Sequence, residues 1–141
     1  MSDQGEEPIS LVLFSGTDDR LTAAAVLAAG AAALGRPVHI FLQYWALDAF
    51  RADKINMHRP LAPEAGPEGT AAVQQAHADG QQPWVETLRM AKEIGEVDIQ
   101  ACSLSMDILH LSADQLDPIV DGVEGVAAFY VNAGVGQVVF I

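Results

Sequence analysis

Three apolar runs in this chain end on residues capable of chemistry. Ser15-Gly16-Thr17-Asp18 follows the run at 9–14, Gln43-Tyr44-Trp45 follows 37–42, and Cys102 follows 97–101. Cys102 is the only cysteine of the 141 residues. A thiolate is the reactive form of cysteine, and a helix N-terminus, with its unpaired N–H groups and roughly half a positive charge, favours it. A helix is expected immediately after Cys102, opening Ser103-Leu104-Ser105-Met106-Asp107, so hydroxyls at Ser103 and Ser105 join the thiol while Asp107 works against its ionisation. A plainer reading stays open beside this one, because free cysteine is among the most buried residue types and acts as a small hydrophobe.

The other candidates are weaker. The turn Ser15-Gly16-Thr17-Asp18 could cradle an anion at a helix N-terminus. It lacks the glycine pattern of a dinucleotide fingerprint or a P-loop, and Asp18 and Asp19 repel a phosphate, so neither FMN nor any other cofactor is expected. A plain helix cap is the competing reading of that turn. Tyr44 and Trp45 serve as pocket wall or as core and interface aromatics. Of the four histidines, His39 lies in a strand, His58 and His77 in a long loop, and His110 in the helix after Cys102, facing solvent with Asp107. No pair has metal-ligand spacing in a regular element, so no metal site is expected. His58 with Arg59 makes a cationic pair that could fold over a bound anion, or simply a solvated loop tip.

These residues need a scaffold, and the chain supplies an alternation of strands and helices. The nearly continuous apolar run Ile-Ser-Leu-Val-Leu-Phe at 9–14 suits a strand covered on both faces. A helix is expected from near Asp19 to Leu34, with an almost all-alanine body, stopped by Gly35 and Pro37. The second strand spans 37–42, and a short helical stretch reaches Phe50. From 51 to 82 prolines and glycines punctuate a long variable loop, with a short helix at 70–78; such loops are lids, oligomer contacts or mobile segments. A helix follows Pro83 to Gly95, then the third strand at 97–101, a helix at 103–111 and a helical turn at 114–116. A minimal fourth strand is expected at 119–120, a helix at 124–132 and a last strand at 137–141. The alternation implies a mostly parallel sheet of about five strands with helices on both faces and right-handed crossovers. In such sheets ligands bind outside the carboxyl ends of the strands, where the three candidate groups sit.

Composition narrows the partners. Seven Lys and Arg against 19 Asp and Glu give a net charge of −12. That charge argues against nucleic acid and against an acidic membrane surface. One cysteine excludes an internal disulfide and a cysteine-rich zinc site. The most apolar run, 21–34, falls short of the roughly 20 residues a spanning helix needs, and the polar, acidic start is unlike a signal peptide, so a cytoplasmic protein is expected. Residues 1–8 read as a flexible acidic N-terminus and 9–141 as a single domain.

The segment Val97-Asp98-Ile99-Gln100-Ala101-Cys102-Ser103-Leu104-Ser105-Met106-Asp107 resembles the DsrE/DsrF-like family of sulfur-relay proteins. The likeness continues through 121–129, and the opening Leu11-Val12-Leu13-Phe14-Ser15-Gly16 with its alanine-rich helix is similar to the single-cysteine, peroxiredoxin-like members. It spans nearly the whole chain except 51–82. The resemblance implies a flavodoxin-like three-layer sandwich that forms homo-oligomers. It implies that Cys102 carries sulfur, as a persulfide or a thiosulfonate from small sulfur anions such as thiosulfate or tetrathionate. The sulfur then passes to a rhodanese-type or TusA-like partner, whose thiol resolves the adduct. Ser15, Gly16, Thr17, Tyr44, Trp45, Ser103 and Ser105 would then wall the pocket. A non-covalent small-molecule binder and an oligomeric scaffold are the alternatives.

Overall fold

A computed structural model describes residues 7–141; the acidic N-terminus expected at 1–8 lies almost wholly outside the described residues. Five parallel strands make one sheet: β1 (Ile9–Leu13), β2 (Val38–Leu42), β3 (Val97–Cys102), β4 (Gly122–Glu124) and β5 (Gln137–Phe140), in the order β4-β3-β2-β1-β5. Six helices connect and cover it: α1 (Asp18–Ala33), α2 (Tyr44–Ala49), α3 (Gly66–Ala78), α4 (Trp84–Ile94), α5 (Ser103–Ile108) and α6 (Val126–Ala133). This is the expected three-layer α/β sandwich. None of the helices is long and apolar enough to cross a membrane.

The side-chain alternation of the strands sets the two faces apart. Leu11 and Leu13, Ile40 and Leu42, and Ile99 and Ala101 point into the main core, against α1 and α4. There Ala24, Ala25, Ala28, Ala31 and Ala32 let α1 lie close, and Trp84, Leu88 and Ala91 of α4 pack beside it. The opposite face holds a smaller cluster of Val12, Phe41 and Cys102 from the strands with Phe129 and Ala133 of α6.

Several element bounds differ from expectation, each for a tertiary reason. The fourth strand is not at 119–120 but at Gly122–Glu124. Asp117 caps the preceding turn, accepting from the Ile119 N–H (2.9 Å), so Ile119 is buried without joining the sheet. Pairing starts only where the Asp121 N–H donates to the Ile99 carbonyl (2.7 Å) and the Asp121 carboxylate accepts from the Ile99 N–H (2.8 Å). With Glu124 in the strand, the next helix opens at Val126 rather than Glu124. α5 stops at Ile108, not Leu111, and His110 lies beyond it in the left-handed region (φ 54°). Within 51–82 the helix is longer than expected, beginning at Gly66 rather than Thr70.

Candidate functional site

The carboxyl edge of the sheet brings the ends of β1, β2 and β3 together by direct contact. Gly16 lies against the backbone of Trp45, so closely that a Cβ on Gly16 would stand 2.9 Å from the Trp45 carbonyl carbon. The Tyr44 N–H donates to the hydroxyl of Ser105 (3.1 Å), which is fully buried. Tyr44 has a left-handed backbone (φ 43°), which for a non-glycine residue costs on the order of 1–3 kcal/mol and persists only where its surroundings fix it. Ser105 does so, clamping the end of β2 to α5. The Tyr44 ring packs on Phe14 (4.9 Å between centroids) and meets Trp45 edge-on (5.8 Å).

Each predicted site residue takes a definite place. The Ser15 and Thr17 hydroxyls lie 3.3 Å apart, and Ser15 Oγ also accepts from Arg20 (3.3 Å). Thr17 caps α1 by position, with no side-chain bond to the helix N–H groups. Burial pushes the Asp19 carboxyl up, but hydrogen bonds from the Thr17 hydroxyl and from the Ala62 and Arg20 N–H groups outweigh it and hold the group below the ordinary carboxylate range. Trp45 is more than half exposed. Ser103 is partly buried beside Gly125, and Ser105 serves the Tyr44 clamp rather than an open pocket.

Cys102 ends β3 and caps α5 by position, as expected. The β3 alternation sends its side chain to the α6 face, where it is 5% exposed against Val12, Phe41, Phe129 and Ala133. An apolar cleft of about 230 Å³ shares Val12, Phe41 and Phe129 with that cluster and opens between β5 and Tyr130 of α6. The thiol therefore sits behind a cleft wall, on the opposite face from the main core.

A polar network on this same face was not anticipated. His39 Nδ1 hydrogen-bonds with Asp98 Oδ2 (3.0 Å) and Nε2 with Glu124 Oε1 (2.6 Å). Glu124 also accepts from the Asn132 side chain (2.8 Å), and the imidazole stacks on Phe129 (5.7 Å). The register pairs Glu124 with Cys102, so this network anchors the backbone beside the thiol. The available signal was a lone histidine among Val38, Ile40, Phe41 and Leu42, on the face that also takes Asp98 and Gln100. Among the described residues no three His, Cys, Asp or Glu side chains cluster to hold a metal ion.

Comparison with known proteins places this geometry among relatives. Residues 5–78 match the model of the DsrE/DsrF/DrsH-like family. That match runs into the loop region set aside above and stops short of Cys102. The uncharacterized protein YrkE of Bacillus subtilis is 31% identical over a 152-residue alignment covering 92% of each chain. In fold, the chain is similar to MTH1491, a protein of unknown function from Methanobacterium thermoautotrophicum, with a TM-score of 0.60 at 12% identity, over 96% of this chain and all of the other.

Proposed function

Because the chain belongs to the DsrE/DsrF/DrsH-like family, we propose that it is a sulfur carrier that holds sulfur on Cys102 and hands it to a partner thiol. One observation carries the reading: the single cysteine stands at the carboxyl end of a central parallel strand, where α/β sheets place their ligands. With tetrathionate, the Cys102 thiolate attacks a central sulfur. A sulfur–sulfur bond forms, the central bond of tetrathionate breaks, and thiosulfate leaves with the electron pair, giving a cysteine thiosulfonate. An incoming thiolate then attacks the sulfane sulfur and restores Cys102. The resolving thiol belongs to the partner, since the chain has no second cysteine.

The apolar cleft beside Phe41 and Phe129 supports approach by a small sulfur species to the thiol. Ser15, Gly16, Thr17, Tyr44, Trp45 and Ser103 form the polar edge over which a partner loop docks, with Ser105 holding that edge in place. A rhodanese-type or TusA-like partner in the reducing cytoplasm fits this chemistry, with a basic surface answering the −12 charge. A second copy of the chain fits the α6–β5 face, where Tyr130 is 66% and Phe140 67% exposed. Sedimentation of the wild type and of Tyr130→Glu tests that contact, the variant being expected to sediment as the smaller species.

The near-complete burial of Cys102 favours a second reading, in which it is a core residue of a scaffold and never reacts. Intact-mass measurement after incubation with tetrathionate separates the two. The carrier gains a thiosulfonate mass that Cys102→Ala lacks and that a small thiol removes. Identical, unmodified masses for both proteins overturn the proposal.

A further inference from the structure

We propose that the cleft beneath α3 binds a small organic anion, a carboxylate or sulfonate with an apolar body, its head on Arg59. This site is separate from Cys102, which does not line it. α3 is a 13-residue helix with no buried residue, so it stands off the body of the protein. Beneath it is a cleft of about 320 Å³, within the range of small-molecule sites. Leu61, Pro60 and Val73 give it an apolar wall, and Arg59 and His58 lie along one side.

Arg36 and Arg59 are the two cations without a carboxylate partner among the described residues, and of the two it is Arg59 that lines this cleft. The chain carries a large excess of acid, and Arg20, Arg51, Lys54, Arg89 and Lys92 all lie within ion-pair distance of carboxylates. The Arg59 Nε donates to the Gly16 carbonyl. A guanidinium held by its Nε beside Gly16, at the side of a partly apolar cleft and without a carboxylate partner among the described residues, is a receptor for a carboxylate or sulfonate. Asp18, the one carboxylate that lines the cleft, is engaged by His77 at 3.4 Å.

That contact also divides the cleft from a second one of about 270 Å³, which shares Asp18, His58 and His77 and reaches Trp84 and Glu86. Asp18 borders both clefts, but Glu86 lines only the second and Arg59 only the first, which puts the anionic head on the Arg59 side. α3 is bounded by Gly66 (φ 62°) and Gly80 (φ 96°), backbone positions that side-chain-bearing residues rarely adopt. The helix lies over the cleft between these two turns, with His77 meeting Asp18 beneath it.

Titration of the ¹⁵N-labelled protein with hexanoate and with hexane-1-sulfonate tests the site. Saturable shifts are expected at the amides of Arg59, Val73 and His77, unchanged in Cys102→Ala, which keeps this result independent of sulfur transfer. Arg59→Gln removes the charge-assisted bonds and is expected to weaken binding about tenfold or more. Val73→Glu places a carboxylate at the cleft wall and, on a helix with no buried residue, leaves the fold intact; it is expected to abolish binding. Affinity equal to wild type in either variant overturns the proposal, as do shifts confined to the α6–β5 face. Sulfate binding as tightly as hexane-1-sulfonate overturns the requirement for an apolar body.

Discussion

Replacing His39 by leucine removes the hub of the network beside Cys102, and the structure sets the size of the effect. The two carboxylates it joins are unequal: the Glu124 side chain is 7% exposed and the Asp98 side chain 45%. Leaving a buried carboxylate without its partner costs about 3–5 kcal/mol. Glu124 keeps its bond from Asn132, which places its share near the lower end. The Asp98 contact is half in water and contributes about 0.5 kcal/mol. A loss of about 3–4 kcal/mol follows for His39→Leu, read as a lower urea midpoint at unchanged slope. His39→Leu with Glu124→Leu removes the stranded charge as well, and replacing a whole buried pair by apolar groups is close to neutral. The double variant is therefore expected to be more stable than His39→Leu alone. A single-variant cost under about 1 kcal/mol, or a double variant less stable than the single, refutes the role of His39 as the buried partner of Glu124.

Three further outcomes follow from local geometry. Ser10 is fully buried with a hydroxyl that has no hydrogen-bond partner among the described residues, so Ser10→Ala should raise stability by about 1 kcal/mol; a lower urea midpoint would contradict this. Gly16→Ala drives a methyl into the backbone of Trp45 and should cost about 1–3 kcal/mol while displacing the end of β2, seen as altered tryptophan fluorescence; an unperturbed spectrum and midpoint would count against the close approach. The Asp19 carboxyl is held below its ordinary range, so its charged form contributes stability above the unfolded value of about 3.9, and that contribution fades as pH falls through the lower folded value. The stability gap between wild type and Asp19→Asn should hold from neutral pH to about 4 and shrink below it, and a gap that persists unchanged in stronger acid speaks against the Ala62 and Thr17 bonds.

How much of this was legible depends on the range of the forces involved. The opening β-α-β unit was readable because its signals are local: a short apolar run, an alanine body, then Gly35 and Pro37 in the expected stopping order. The place of Cys102 was readable for the same reason, and so, in principle, was its direction. With Val97, Ile99 and Ala101 in the main core, position 102 must face the other way. The fourth strand was misplaced because Ile119 and Val120 look more strand-like than Gly122-Val123-Glu124. What decides the pairing is Asp121 reaching Ile99, a contact 22 residues distant in sequence. The His39 network escaped notice because its partners are 59 and 85 residues away. In the sequence Arg59 is legible only as half of a cationic pair with His58. Its anchoring on Gly16, and the gap under α3, depend on how the 51–82 segment folds back, which its weak periodicity does not encode.

The handedness of the connections explains why Cys102 lies on the thinly covered face of the sheet. Moving from β1 to β2 to β3 to β4, each strand is added on the same side of the last, and right-handed crossovers then place their helices on one face of the sheet. α1 and α4 accordingly pack together over that face and build the main core. Only the connection from β4 to β5 runs back across the sheet, so only its helix, α6, falls on the other face. Eight residues cannot cover five strands. The face under α6 therefore keeps a five-residue apolar cluster, a hydrogen-bonded histidine–carboxylate network, and exposed Phe140 and Tyr130 at its margin. A thiol on the α1–α4 face would be sealed under two helices of 16 and 11 residues; on this face it is separated from solvent by one short helix and an open cleft. The β3 alternation that puts Cys102 here thus assigns the single thiol to the thinly covered side of the sheet.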